Sequence, residues 1–206
     1  MTGAGRGTGL GLLAALCILA AGPPAPAEPA GSPRESQPSA PLPPAEPDDY
    51  RLDNYRSPVP LTLRGGEVVD TASLARRLAD SQTIIVDVLP QELRPPKLAP
   101  DNVWLPPAHA AIPGAVWLPN VGYGRLPPPL LAYFTDSLRR ITGGDQDRPL
   151  VFYCRANCWM SWNAARRALS LGYRRVLWYP DGIDAWQAAG NPTSPVKPFG
   201  TPPGQP

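Results

Sequence analysis

The chain has 206 residues, enough for one ordinary domain with tails and too few for two. Hydrophobic residues make up 43% and charged residues 17%, and the net charge is only +2. No basic block exceeds pairs such as Arg76-Arg77, Arg139-Arg140 and Arg174-Arg175, which excludes an electrostatic case for nucleic acid.

Residues 1–27 read as a signal peptide. Arg6 is a weak positive start, and residues 10–21 form an apolar run short of the ~20 residues that span a bilayer. Ala25-Pro26-Ala27 then supplies small residues for cleavage before Glu28. Cleavage places the mature chain in the periplasm with no stable membrane span. Cys17 leaves with the signal, so the mature chain keeps Cys154 and Cys158 in an oxidising compartment where close thiols can pair. Residues 28–48 are rich in Pro, Ala and Ser and too poor in apolar surface to offset chain entropy, which predicts a disordered linker. The 31 prolines concentrate before Val59 and after Gly190. The folded domain is therefore expected at 49–194, with a flexible tail at 195–206.

Within the domain, helical patterns alternate with short apolar runs. Residues 71–80 read as a helix, with Leu74 and Leu78 four apart. Residues 84–88 are β-branched and read as a buried strand, and 115–118, 150–153 and 176–179 read as further strands. Residues 130–141 read as a helix ended by Gly143-Gly144, 161–171 as one ended by Gly172, and 183–189 as a short one ended by Gly190. This alternation predicts an α/β domain, a parallel sheet of about five strands with helices on both faces. Residues 90–113 form a Pro-rich insertion between the first and second predicted strands. It holds His109, the chain's one histidine, which reads as a surface residue.

The segment from Tyr153 to Ser161 joins a predicted buried strand to a predicted helix, where parallel α/β proteins place anions and nucleophiles. A thiol there has its pKa lowered from ~8.5 into a range of ~3.5 to 7.5. This makes Cys154 the candidate nucleophile and Cys158 a second redox thiol. A single histidine argues against a Cys-His-Asn protease; a zinc site of two cysteines and one histidine stays open, but no metal-ligand spacing recommends it, and neither a metal nor a cofactor is expected. Spacing alone leaves a structural disulfide or two buried thiols equally open.

Ile85-Val86-Asp87-Val88, Ile112-Pro113-Gly114-Ala115, Val151-Phe152-Tyr153-Cys154-Arg155, Leu171-Gly172-Tyr173 and Asp181-Gly182-Ile183-Asp184-Ala185-Trp186 occur in the order of the rhodanese-like domain, which the chain resembles. The resemblance implies that Cys154 takes a sulfane sulfur from a donor such as thiosulfate, carries it as a persulfide and passes it to a thiophilic acceptor or protein thiol. It also implies that loop residues Arg155, Ala156, Asn157, Trp159 and Met160 hold the persulfide and the donor anion, and that Asp87 gives structural support. A narrower resemblance covers Asp49-Tyr50-Arg51, Asp53-Asn54-Tyr55-Arg56, Pro58-Val59-Pro60, Gly122-Tyr123-Gly124, residues 154–165 and Trp178-Tyr179-Pro180-Asp181-Gly182. It is to the exported CxxCW-motif proteins associated with pyrroloquinoline quinone-dependent catabolism. That implies a quinoprotein alcohol dehydrogenase or its c-type cytochrome as partner. The chain departs from the pattern in having three residues between its cysteines, Trp159 and Met160 where the rhodanese loop often ends in a cation, and Leu89 where an arginine often follows the Asp-Val pair. Two functions follow: a sulfur or disulfide transferase using Cys154, or a non-catalytic accessory protein with the two cysteines bridged.

Overall fold

The computed structural model describes residues 42–79, 82–92, 94–95, 97–99 and 101–203; the expected signal peptide and most of the expected linker lie outside the described residues. Helix α1 (Thr71–Leu78) starts where the Asp70 carboxylate accepts the Ser73 amide at 2.7 Å. Strand β2 (Ile84–Asp87) follows, and then β3 (His109–Ala111) and β4 (Val116–Trp117). Helix α2 (Pro128–Thr142) begins two residues before the apolar periodicity does. Prolines suit a first turn, whose amides need no intrahelical partner. Gly143, left-handed at φ 67°, closes it. Strand β5 (Leu150–Tyr153), helix α3 (Trp159–Ser170), strand β6 (Val176–Tyr179) and helix α4 (Gly182–Ala188) complete the alternation.

The predicted strands pair in parallel with a short edge strand, β1 (Glu67–Val68), in the order β1-β6-β5-β2-β4. Two exposed residues carry no apolar signal, which is why β1 is silent in the sequence. Alternate residues divide the core between the faces of this sheet. Val86, Val88, Phe152 and Trp178 pack with Phe134 and Leu138 of α2 and Trp162 and Ala165 of α3. Ile85, Val151, Tyr153 and Leu177 pack with Leu74 of α1 and Ile183 and Trp186 of α4. Two helices therefore cover each face, as the sequence pattern implies.

The ends differ from expectation. Residues 195–206 were expected to be a flexible tail. Instead Ser194–Val196 form β7, antiparallel to β3, and the Phe199 amide donates to Trp117 O at 2.9 Å. Proline-rich sequence suits an edge strand, where not every amide is needed. At the other end, the Glu46 carboxylate accepts from Thr62 Oγ1 at 2.7 Å and from the Arg64 amide at 2.6 Å, and Arg166 donates to Pro47 O and Asp48 O. The last three residues of the expected linker thus lie against the domain. Among the described residues no helix is long and apolar enough to cross a membrane.

Candidate active site

Strand β5 ends at Tyr153, and the chain turns through Cys154, Arg155, Ala156 and Asn157 into α3, whose N-cap is Cys158. Asn157 takes the left-handed region at φ 53°, which a short amide side chain tolerates. The helix starts two residues before Ser161, where the sequence pattern places its first residue. The Ser161 hydroxyl donates to Cys158 O and accepts the Trp178 indole N–H at 3.0 Å. The positive end of the helix dipole therefore lies at Cys158.

The two cysteines are free thiols, 1% and 2% exposed, close enough for each to shift the other's ionisation. Burial, the hydrogen bond and charge of Cys158, and then the Asp87 carboxylate hold the Cys154 thiol well above its ordinary range. The Cys154 S–H donated to it lowers the Cys158 thiol to about 6, against burial, with help from the amides of Met160 and Arg155 and the charge of Arg56. None of these amides makes a full capping bond to the sulfur. The two shifts run in opposite directions, so ionisation of the pair is favoured at the helix-terminal sulfur of Cys158 over that of Cys154.

The other sequence candidates separate into two groups. Arg155 and Asn157 are exposed at the loop tip, and Ala156 is half-buried. The Ala156 amide donates to Asp184 Oδ2 at 3.0 Å and Arg155 Nε lies 3.3 Å from Asp184 Oδ1, so α4 occupies part of the expected anion cradle. Trp159 and Met160 are buried helix residues rather than loop residues. The Trp159 indole donates to Ser57 Oγ and Pro58 O at 3.0 Å and stacks edge-on against Trp162. Gly182 fits the loop tightly: its φ is +60°, and a Cβ there would lie 2.6 Å from Arg155 C and 2.7 Å from Cys154 O.

Asp87 is 1% exposed and does more than close a strand. Its Oδ1 accepts the Leu89 amide, and its Oδ2 lies 2.8 Å from His109 Nε2. His109 is therefore not the surface residue its loop position suggests. Pairing of β3 with β7 carries it inward, where its ring packs on Trp117 at 4.3 Å. A cavity of about 150 Å³ opens beside this pair, lined by His109, Trp117 and Leu89 to Glu92 of the insertion. Among the described residues no group of three or more His, Cys, Asp or Glu side chains clusters as a metal ion would need.

The feature missing from the sequence reading is a strap. Residues 46–63 run along α3 and cross the loop. Arg56 pairs with Cys158 in an antiparallel bridge, and the Trp159 amide donates to Tyr55 O at 2.9 Å. The Asn163 side chain accepts the Arg51 amide and donates to Arg51 O and Gly122 O. Buried Arg167 donates to the carbonyls of Val121, Tyr123 and Gly124. The motif Asp53-Asn54-Tyr55-Arg56 is visible in the sequence, but nothing there says that it lies over the cysteines.

Comparison with known proteins agrees with this architecture. The family model described as "Rhodanese-like domain" matches residues 70–189, and the chain belongs to that family. A curated HTH-type transcriptional regulator of Mycobacterium tuberculosis is 32% identical over 135 residues, 65% of this chain and 47% of the regulator, so the chain spans about half of that relative's length. Among solved structures, the rhodanese-like domain of the Alr3790 protein from Anabaena sp. is similar at 22% identity, with a TM-score of 0.42, 65% of this chain and 85% of that one. A polysulfide-sulfur transferase from Wolinella succinogenes is similar at 14% identity, with a TM-score of 0.41, 64% of this chain and 80% of that one.

Proposed function

We propose that this chain is an exported sulfur carrier that works through the Cys154–Cys158 pair. The observation that carries the reading is the placement of two buried free thiols side by side at a strand-to-helix turn. Cys154 occupies the position of the family's carrier cysteine, and the Cys158 thiolate is the base that ionises it. The Cys154 sulfur attacks the sulfane sulfur of a donor anion. A persulfide bond forms, the donor's S–S bond breaks, and its electron pair leaves with the donor fragment, sulfite in the case of thiosulfate. An acceptor thiolate then attacks the terminal sulfur and regenerates the Cys154 thiolate, which recovers its proton from Cys158. With a protein disulfide in place of the donor, the same thiolate forms a mixed disulfide. Cys158 then resolves it, leaving a Cys154–Cys158 disulfide and a reduced partner.

Export rests on residues 1–27, with cleavage before Glu28 and residence in the periplasm. The link to a pyrroloquinoline quinone-dependent dehydrogenase or its c-type cytochrome rests on the resemblance of residues 154–165 and 178–182 to the CxxCW-motif proteins. A second reading, the non-catalytic accessory with a bridged pair, is favoured by one observation. The Ala156 and Trp159 amides are already bonded, to Asp184 and to Tyr55 O.

A thiol count on chain purified from the periplasm, with and without reductant, separates the two. Two free thiols, and thiosulfate-to-cyanide sulfur transfer lost in Cys154→Ser, support the carrier. No titratable thiol before reduction supports the accessory. Transfer persisting in folded Cys154→Ser would overturn the assignment of Cys154.

A further inference from the structure

We propose that Arg56, brought in by the strap, is the cation that receives an anionic sulfur compound at the Cys154–Cys158 pair. This rests on the carrier reading and names its substrate class: a small oxyanion or thiolate bearing the sulfur to be moved. The loop itself offers no free cation. Trp159 and Met160 fill its end and are buried, and Arg155 is paired with Asp184 at 3.3 Å. Arg51 lies over the Trp159 ring at 5.4 Å and is paired with Asp53 at 3.4 Å.

Arg56 differs on each count. It is directly opposite Cys158 in the antiparallel bridge, and residues so opposed project from the same face. Its guanidinium is exposed, and no carboxylate pairs with it among the described residues. Its charge favours the Cys158 thiolate, as the smallest of the effects acting on that sulfur. The carboxylate whose charge bears on Cys154, Asp87, is occupied by His109 and the Leu89 amide. One end of the thiol pair thus faces a buried, occupied carboxylate, and the other lies beneath a solvent-exposed arginine of the strap. A second segment of chain supplies the charge that the loop lacks.

The test uses the full mature chain in its reduced form and two alkylating reagents of similar size, iodoacetate, an anion, and neutral iodoacetamide. Both require the thiolate, so any change in thiol ionisation cancels in the ratio of their rates. Only attraction of the anion survives in it. Arg56→Gln is expected to lower the iodoacetate-to-iodoacetamide ratio about two- to fivefold, Arg56→Lys to retain most of it, and ~0.5 M salt to bring the native ratio down to that of Arg56→Gln. An equal ratio in the native chain and in Arg56→Gln overturns the proposal. So does failure of both reagents to modify the folded chain, because no anion then reaches the pair. Should Arg56→Gln not fold, a native ratio indifferent to salt overturns it instead. The ratio does not depend on turnover, so failure of the thiosulfate-to-cyanide assay would count against the carrier reading and not against the cation.

Discussion

The opposite shifts of the Cys154 and Cys158 thiols have consequences at the scale of the residue. Thiol alkylation of the native chain should follow an ionisation near pH 6, and Cys154→Ala should move it toward the ordinary thiol value of 9.0, since the donated S–H is the largest cause of the depression. A rate profile with the same midpoint in both proteins would refute the hydrogen-bonded pair. Folding stability carries the same signature. The depressed Cys158 contributes stabilisation that is fully present above the unfolded value and disappears as pH falls through about 6. The raised Cys154 acts in the opposite sense, its contribution being full below 9.0 and lost as pH rises. Stability of the native chain from this pair should therefore grow between pH 6 and 9. Urea midpoints for Cys158→Ala should fall progressively further behind the native chain across that window; a constant gap would contradict the assignment. His109 poses a simpler case. His109→Ala leaves one oxygen of the buried Asp87 carboxylate without its partner, which costs about 1–3 kcal/mol. Asp87→Asn in the same background should recover part of the loss, because the neutral amide is less costly to bury. The histidine's role is hidden in the sequence because it depends on strand pairing between β3 and β7, in which His109 lies opposite Val196, 87 residues away.

At the scale of the element, regular structure was readable where local pattern decides it. The runs at 150–153 and 176–179 coincide with β5 and β6 because fully buried parallel strands are continuously apolar. Helix α3 begins two residues earlier than its pattern indicates because the strap carbonyl of Tyr55 satisfies the Trp159 amide, a partner that is remote in sequence. The cysteines and the turn were legible; the cover over them was not, because the strap has neither helical nor strand periodicity and is held by side chains of α3. Asn163 is the central clamp. Asn163→Ala removes three hydrogen bonds to the Arg51 and Gly122 backbone and should destabilise the fold by about 2–3 kcal/mol. It should also speed alkylation of the thiols by loosening the strap. Equal destabilisation with unchanged thiol access would mean that residues 53–58 stay in place without the clamp.

At the scale of the whole molecule, the boundaries that composition suggests at 49 and 194 fall inside structure. Proline content marks chain poor in apolar surface, but it carries no information on strand pairing at an edge or on docking through a few specific groups. The two ends should therefore respond differently to shortening. A chain beginning at Glu46 keeps the contacts to Thr62, Arg64 and Arg166, and its Tm should match that of the mature protein. A chain ending at Thr193 loses β7, the only partner of β3 in their two-stranded sheet, together with the Phe199 amide bond to Trp117 O and the Tyr133 hydroxyl bond to Phe199 O at 2.8 Å. It also loses the Arg140 guanidinium stacked 5.0 Å from the Phe199 ring. At about 1 kcal/mol for each hydrogen bond lost, the deficit is at least ~3 kcal/mol. For a domain of this size that is a fall in Tm of about 6–12 °C. Freed from β7, β3 no longer holds His109 against Asp87, so the truncation and His109→Ala should be less than additive when combined. Thermal unfolding of the four proteins of that cycle is the measurement. Full additivity would show that the histidine keeps its place without the C-terminal strand.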